Sequence, residues 1–319
     1  MSFVTSTRRK MIPLSQLTEA SGNPVQWDVP KTGILGGVFL SVSATLAGIP
    51  VTPDPLGVQK IVKKVRLIAN SGIDLINISG TTYNSMLRHY TDTYLDPVPQ
   101  SQATSALAAG TFNLDMYLPV SINRRDPIGL FMLQNEQTLL TLVVEFEAVG
   151  NLAASGFTTL SYTIQPWLEV YTVPVDPKDW PDFSVVHQII EDSRPVSGAG
   201  DYEYYWPRGN TYLQVLHGAG LAQSGSDNWT RARLRINQSD FLVDMLPDTA
   251  NIEYGLSHGT TRMLGLVPFD LMGTSSLGML GSSRDMLYSA AVTDLASVIT
   301  FGAAGTLWTL RRQLISLQG

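Results

Sequence analysis

The order of elements in the first half of this 319-residue chain recurs in the second half. In the first half the strand-like runs Val65–Asn70 and Ile73–Ile78 lead into a short helical pattern at Thr82–Tyr90. In the second, Tyr212–His217 and Trp229–Ile236 lead into another at Ser239–Leu246. A loop and a strand ending near a proline follow each helix, at Leu114–Pro119 and Met263–Pro268. A short apolar run comes next, Gly129–Leu133 and then Leu277–Leu280, and each half closes on two long strands around a Gly/Ala turn. Agreement in the order of six elements points to a tandem duplication, and a chain built that way closes the same supersecondary unit twice. Between the halves, Pro174, Pro177 and Pro181 make a stiff linker at 174–182.

Periodicity makes the units β. From Thr138 to Ala148 the chain alternates, with Leu140, Leu142, Val144, Phe146 and Ala148 on one face. Period two over that length is a half-buried strand. Thr158–Val173 is rich in Thr, Tyr, Ile and Val, with Pro166 marking a bulge or an edge. Further runs predict strands at Gly37–Leu46, Val62–Ala69, Val292–Phe301 and Leu307–Ser316. Helix signals are few: a Thr cap before Thr82–Tyr90, a Ser start and Pro247 stop around Ser239–Leu246, and a weaker third run at Ser283–Tyr288. Met86, Leu87, Phe241, Leu242 and Met245 are expected to pack against a sheet edge. The fold class is all-β: two tandem eight-stranded jelly rolls, which are β-sandwiches, with short helical inserts. The expected divisions are an N-terminal arm at 1–24, a first roll at 25–173, the linker, and a second roll at 183–319.

Composition then narrows function. Charged residues are 15% of the chain, against about 25% in ordinary soluble domains. Hydrophobic residues reach 44%, so the deficit does not signal disorder; it suggests surface that is covered by something other than water. Arginines number 15 against six lysines, the last of them Lys178, and interfaces favour Arg over Lys. A net charge of −6 argues against direct, sequence-specific nucleic-acid binding. Residues 1–80 nevertheless carry eight basic and four acidic groups, whereas 134–205 carry eleven acids against Lys178 and Arg194. The absence of cysteine removes disulfides, thiolate metal sites and a cysteine nucleophile, and suits folding in a reducing cytoplasm. The first residues lack the apolar segment of a secretion signal.

A search for chemistry finds no constellation. His89, His187, His217 and His258 do not fall at metal-ligand spacing. Asp176, Asp179 and Asp182 form a carboxylate series that prolines keep from a calcium-loop geometry. Glu145 and Glu147 share a strand face as ordinary surface carboxylates do. The expectation is no enzyme, no catalytic residue, no metal and no cofactor.

Two rolls joined by a short linker, each with a helix after its strand pair, resemble the double jelly-roll major capsid proteins of tail-less, membrane-containing icosahedral phages of the tectivirus and corticovirus type. The resemblance covers roughly residues 25–316 and rests on element order and size. It implies a structural protein of the virion, made in the host cytoplasm, whose homotrimers form pseudo-hexagonal capsomers. The implied partners are neighbouring capsomers, minor capsid or penton proteins, and an internal lipid membrane. A minor vertex or spike protein of the same kind of virus is a variant of this reading. The rival class is a two-domain jelly-roll protein that binds or processes glycans, with Tyr202–Trp206 as its aromatic platform.

In the N-terminal arm, Arg8, Arg9 and Lys10 are contiguous, with no acid before Glu19. Such a run attracts an anionic lipid surface. Met11, Leu14 and Leu17 fall at i, i+3 and i+6, which predicts a short helix from about Pro13 with one apolar edge at the interface. The competing readings are a disordered tail and an arm that clamps a neighbouring subunit.

Overall fold

The computed structural model describes residues 3–20, 23–48, 57–70, 72–87, 110–122, 128–135, 137–152, 157–220, 227–238, 240–258, 262–271 and 286–316. Its described residues fall into two compact units, the first within 1–83, 98–190 and 316–319, the second within 84–97 and 191–315. Alternation builds both. In β9 (Leu140–Phe146) the four apolar residues expected on one face are buried and those between them half-buried.

In the first unit, β1 (Arg9–Pro13) and β2 (Leu17–Ala20) lie along one side of β10 (Phe157–Tyr171). On its other side β10 pairs with β4 (Ile34–Gly48), which pairs with β7 (Gly110–Pro119) and β8 (Phe131–Met132). The facing sheet runs β3 (Val25–Asp28), β9, β5 (Val62–Ala69), β6 (Ile73–Ile78). The strand β11 (Val185–Val196) belongs to the first unit up to Ile190 and then opens the second, where the order is β11, β19 (Gly305–Ser316), β13 (Thr211–Ala219), β16 (Leu266–Asp270), with β17 (Leu287–Tyr288) also on β13. Its facing sheet runs β12 (Gly200–Tyr205), β18 (Leu295–Phe301), β14 (Trp229–Ile236), β15 (Asp240–Met245). The two units thus share one strand order, opening strand to last strand and onward.

Their irregularities coincide too. The β5–β6 ladder slips between Leu67 and Ile68, and the β14–β15 ladder slips between Leu234 and Arg235. The β5–β9 ladder slips after Val62, opposite Phe146; the β14–β18 ladder slips after Trp229, opposite Phe301. Both hairpins turn through left-handed residues, Asn70 in one and Asn237 with Gln238 in the other.

That second turn corrects the helix expected at Ser239–Leu246. Asn237 and Gln238 fold the chain back on β14, so Asp240–Met245 is a strand. Pro247 does not stop a helix there; it starts α2 (Pro247–His258), since a first-turn proline has its φ already set and needs no N–H donor. In the first unit α1 (Gly80–Thr82) begins earlier than expected, capped by Ser79, whose hydroxyl accepts from Thr82 N at 3.1 Å. It continues as a wider turn at Tyr83–Leu87; the rest of the expected helix, His89 included, lies outside the described residues. The third expected helix is also corrected: Leu287–Tyr288 pairs with β13, while 283–285 lie outside the described residues. Strands β1, β2, β3, β11 and β12 had not been expected.

The second core gathers Tyr204, Trp206, Tyr212, Val215, Trp229, Leu234, Ile299 and Phe301. Tyr204 of β12 and Trp206 just after it point inward and are buried, Tyr202 is half-buried, and only Tyr205 of that run is well exposed. No aromatic platform for a glycan exists on this segment.

Candidate assembly surfaces

The expected arm is sheet, not helix. Arg9–Pro13 pairs antiparallel with Trp167–Tyr171, and Leu17–Ala20 with Ser161–Ile164. Arg8 N donates to Thr172 Oγ1 at 2.8 Å and Leu14 N to the Pro166 carbonyl at 3.0 Å. Strand geometry separates Met11, Leu14 and Leu17 from any shared helical edge: Met11 is exposed, and the two leucines are half-buried. The hydrogen-bonding capacity of β10 wins over the weak helical spacing, because an unpaired strand beside a long sheet gains a ladder by joining it.

The three cations also part company. Arg9 forms an ion pair with Glu169, which is fully buried on the outward face of β10. Tyr117 donates its hydroxyl to the same carboxylate at 2.9 Å. Gly36 and Gly37 make the room, since a Cβ on either would run into the ring of Tyr171 or Tyr117. Arg8 and Lys10 stay exposed. Arg9 is thus a structural residue, and Arg9→Ala is expected to cost about 2 kcal/mol by stranding a buried carboxylate. Glu169→Gln added to it should recover most of that loss in urea unfolding; no recovery would mean that Glu169 is not the reason.

In the second unit the outward face of one sheet is an ionic ladder. Arg231, Arg233 and Arg235 alternate along β14, and the small side chains of Ala296 and Val298 on β18 let them reach across to β12. Arg233 meets Asp201 at 2.6 Å, and Arg235 meets Glu203 at 2.6 Å and Asp294 at 3.3 Å. Arg231 bridges Asp244 on β15. The Thr300 hydroxyl, with Arg233 behind it, holds the Asp201 carboxyl below its usual range; Arg235 does so for Glu203, and Arg231 for Asp244.

Beside this ladder the surface turns apolar. Phe241, Leu242 and Leu246 are about half exposed, and on α2 Ile252 and Leu256, one turn apart, are 66% and 83% exposed. Only Met245 of the expected inward set in this stretch is buried, as Met86 is in the first unit. Phe241 lies beneath the Arg233 guanidinium, 5.4 Å from it. Phe241→Ala is therefore expected to cost about 1 kcal/mol, not the roughly 3–5 of a core aromatic. A loss of the larger size on denaturant unfolding would contradict this exposed placement. Beyond Pro247, the four-residue spacing of Ile252 and Leu256 was a legible signal for this patch.

The remaining candidates have structural duties. Asp176 accepts from Lys178 N at 3.1 Å and Asp182 from Ser184 N at 2.8 Å, so two linker carboxylates cap turns. Glu147 holds Asn151 at 2.7 Å. His187 and His217 are buried. Among the described residues no three acidic or histidine side chains cluster as metal ligands, and no helix is long and apolar enough to cross a membrane.

The sequence matches no protein-family model and no curated protein. Solved structures match along the whole length. The major capsid protein of Sulfolobus Turreted Icosahedral Virus (STIV) aligns over 97% of both chains with a TM-score of 0.70 and 15% identity. PBCV-1 VP54 covers 97% of this chain and 94% of its own at 0.69 and 9% identity. The major capsid protein P2 of bacteriophage PM2 covers 98% of each at 0.58 and 12% identity. In fold, this chain is a double jelly roll of the kind found in viral major capsid proteins.

Proposed function

We propose that this chain is a major capsid protein, whose homotrimers are the pseudo-hexagonal tiles of an icosahedral shell. The observation that carries the reading is coverage: both rolls, in order, align with major capsid proteins over 97–98% of the chain. Two rolls per subunit give a trimer six similar lobes, which suits hexagonal packing. The low charge and the exposed apolar patch on β15 and α2 support extensive contact with other protein. The test is mass in solution together with negative-stain images of the purified protein. Trimers and hexagonal tiles are expected; a stable folded monomer at all concentrations would overturn the reading.

Neighbouring capsomers and minor or penton proteins are the partners this role requires. An internal lipid membrane is a further proposed partner, and it falls to Arg8 and Lys10, since Arg9 is engaged with Glu169. Deleting residues 2–12 would remove β1 and uncover Glu169, so charge removal is the cleaner test. Arg8→Gln with Lys10→Gln keeps the strand and is expected to weaken sedimentation with anionic vesicles. Undiminished binding would end the lipid role.

A further inference from the structure

Several strands end their sheets among the described residues, and the duplication pairs two of those edges. In the first unit β6 is covered on its outer side: Ile189 and Ile190 of β11 pair in parallel with Ile76 and Asn77. Gln188 Nε2 adds a bond to the Asp74 carbonyl at 2.8 Å. The shared bulge makes Ile76 of β6 the counterpart of Val243 in β15. Yet β15 ends its sheet, with β14 on one side and no strand on the other. The strand that covers β6 is β11, which opens the second roll beside its last strand. The counterparts of β11 in the first roll are β1 and β2, beside β10, and β1 likewise ends its sheet.

We propose that β1 of a second copy of this chain docks in parallel along β15, so that the cover found on β6 is supplied in trans to its counterpart. This rests on the capsid reading, names the contact that holds the tile together, and stands as the alternative to the lipid role of Arg8 and Lys10, which the docked strand would occupy. Charge favours that occupant. The arm brings Arg8 and Lys10, both exposed, and no acid before Glu19. On the receiving side Arg231 is taken up by Asp244, and Asp248 and Glu253 of α2 add negative charge where the second roll has no lysine. Phe241, Leu242 and Leu246, with Ile252 and Leu256 beyond them, supply the apolar area that backbone pairing alone lacks. The contact joins unlike surfaces, head to tail, which under a three-fold rotation closes into a ring.

The chain has no cysteine, so introduced thiols report alone. Lys10→Cys is combined with Leu242→Cys and treated with a short bismaleimide at concentrations where the wild-type chain is trimeric. Inter-chain linking is expected at roughly ten times the level of either single variant, or of Lys10→Cys with Val175→Cys on the exposed linker. If the double variant is trimeric by light scattering yet links no better than these controls, the contact is wrong and the capsid reading stands. If the wild-type chain never trimerises, both fall. As a second measurement, Leu256→Lys on the exposed helix face should weaken self-association roughly tenfold or more. Unchanged association would overturn the proposal.

Discussion

Replacing Arg262 with methionine is expected to cost about 4 kcal/mol, because it leaves a carboxylate in a dry site without its cation. The Arg262 side chain is wholly buried and that of Asp227 nearly so. The guanidinium reaches Asp227 through both terminal nitrogens, at 3.1 and 2.7 Å. Its Nε donates to Asn251 of α2 at 3.0 Å, and its plane lies 5.2 Å from the Trp229 ring. Asp227 also accepts from Gly265 N at 2.6 Å. One arginine therefore fastens the start of β14, the helix after β15 and the loop before β16. Asp227→Asn should cost nearly as much. Arg262→Met with Asp227→Leu should cost clearly less than the two single losses added together, since it strands neither charge. Additive losses in a denaturant double-mutant cycle would refute the ion pair as the source.

The second large effect is acid lability. His217 on β13 is completely enclosed, and its ring joins the two sheets of the second roll. Nδ1 lies 2.9 Å from Thr309 Oγ1 on β19, and Nε2 lies 2.8 Å from Ser297 Oγ on β18. Trp206 Nε1 donates to the same serine at 2.7 Å, while Tyr204 and Phe269 present their edges to the imidazole. Burial pushes the histidine from 6.5 down to about 3. The sign follows from which state binds the proton. Below about pH 6.5 the unfolded chain takes one up and the folded chain does not, so stability falls as pH drops toward 3. At about 1.4 kcal/mol per pH unit, roughly 3 kcal/mol is gone by about pH 4.5. The ladder carboxylates, Asp201, Glu203 and Asp244, are held low and lose their share only at lower pH, below the ordinary carboxylate range. Unfolding free energies across this range should show the histidine slope, and His217→Gln should flatten it. A wild-type slope that persists in the variant would assign the effect elsewhere.

Some of this architecture was legible from residues alone. Val62–Ala69 and Trp229–Ile236 begin and end where their alternation does, because each is a central strand with one face in a core. β15 was not legible as a strand: Asp240–Met245 is an edge strand with both Phe241 and Leu242 exposed, so no alternation marks it, and Pro247 can open a helix as readily as close one. β1 was hidden for a similar reason. It is short and mostly exposed, and only the waiting edge of β10 makes it a strand. The Arg262 cluster was beyond reach because Asp227, Asn251 and Arg262 are apart in sequence and meet only when the loops are folded. Arg9 was legible as a cation, but its partner Glu169 lies at the far end of the same roll in sequence.

The paired bulges carry a different kind of information. Straight strands are reachable from many starting points, since any sequence with the right alternation and enough β-branched residues will form one. An extra residue at one chosen rung is a particular choice: Leu75 stands opposite the Leu67–Ile68 step, and Leu242 opposite the Leu234–Arg235 step. Once present it is hard to lose, because a one-residue slip turns every later side chain to the wrong face. Two such accidents recur at matching rungs in both halves, although the side chains around them have diverged from Lys64 to Arg231 and from Leu142 to Ser297. They are what duplication of one roll would leave behind, a shared register that outlasts the change of the side chains around it.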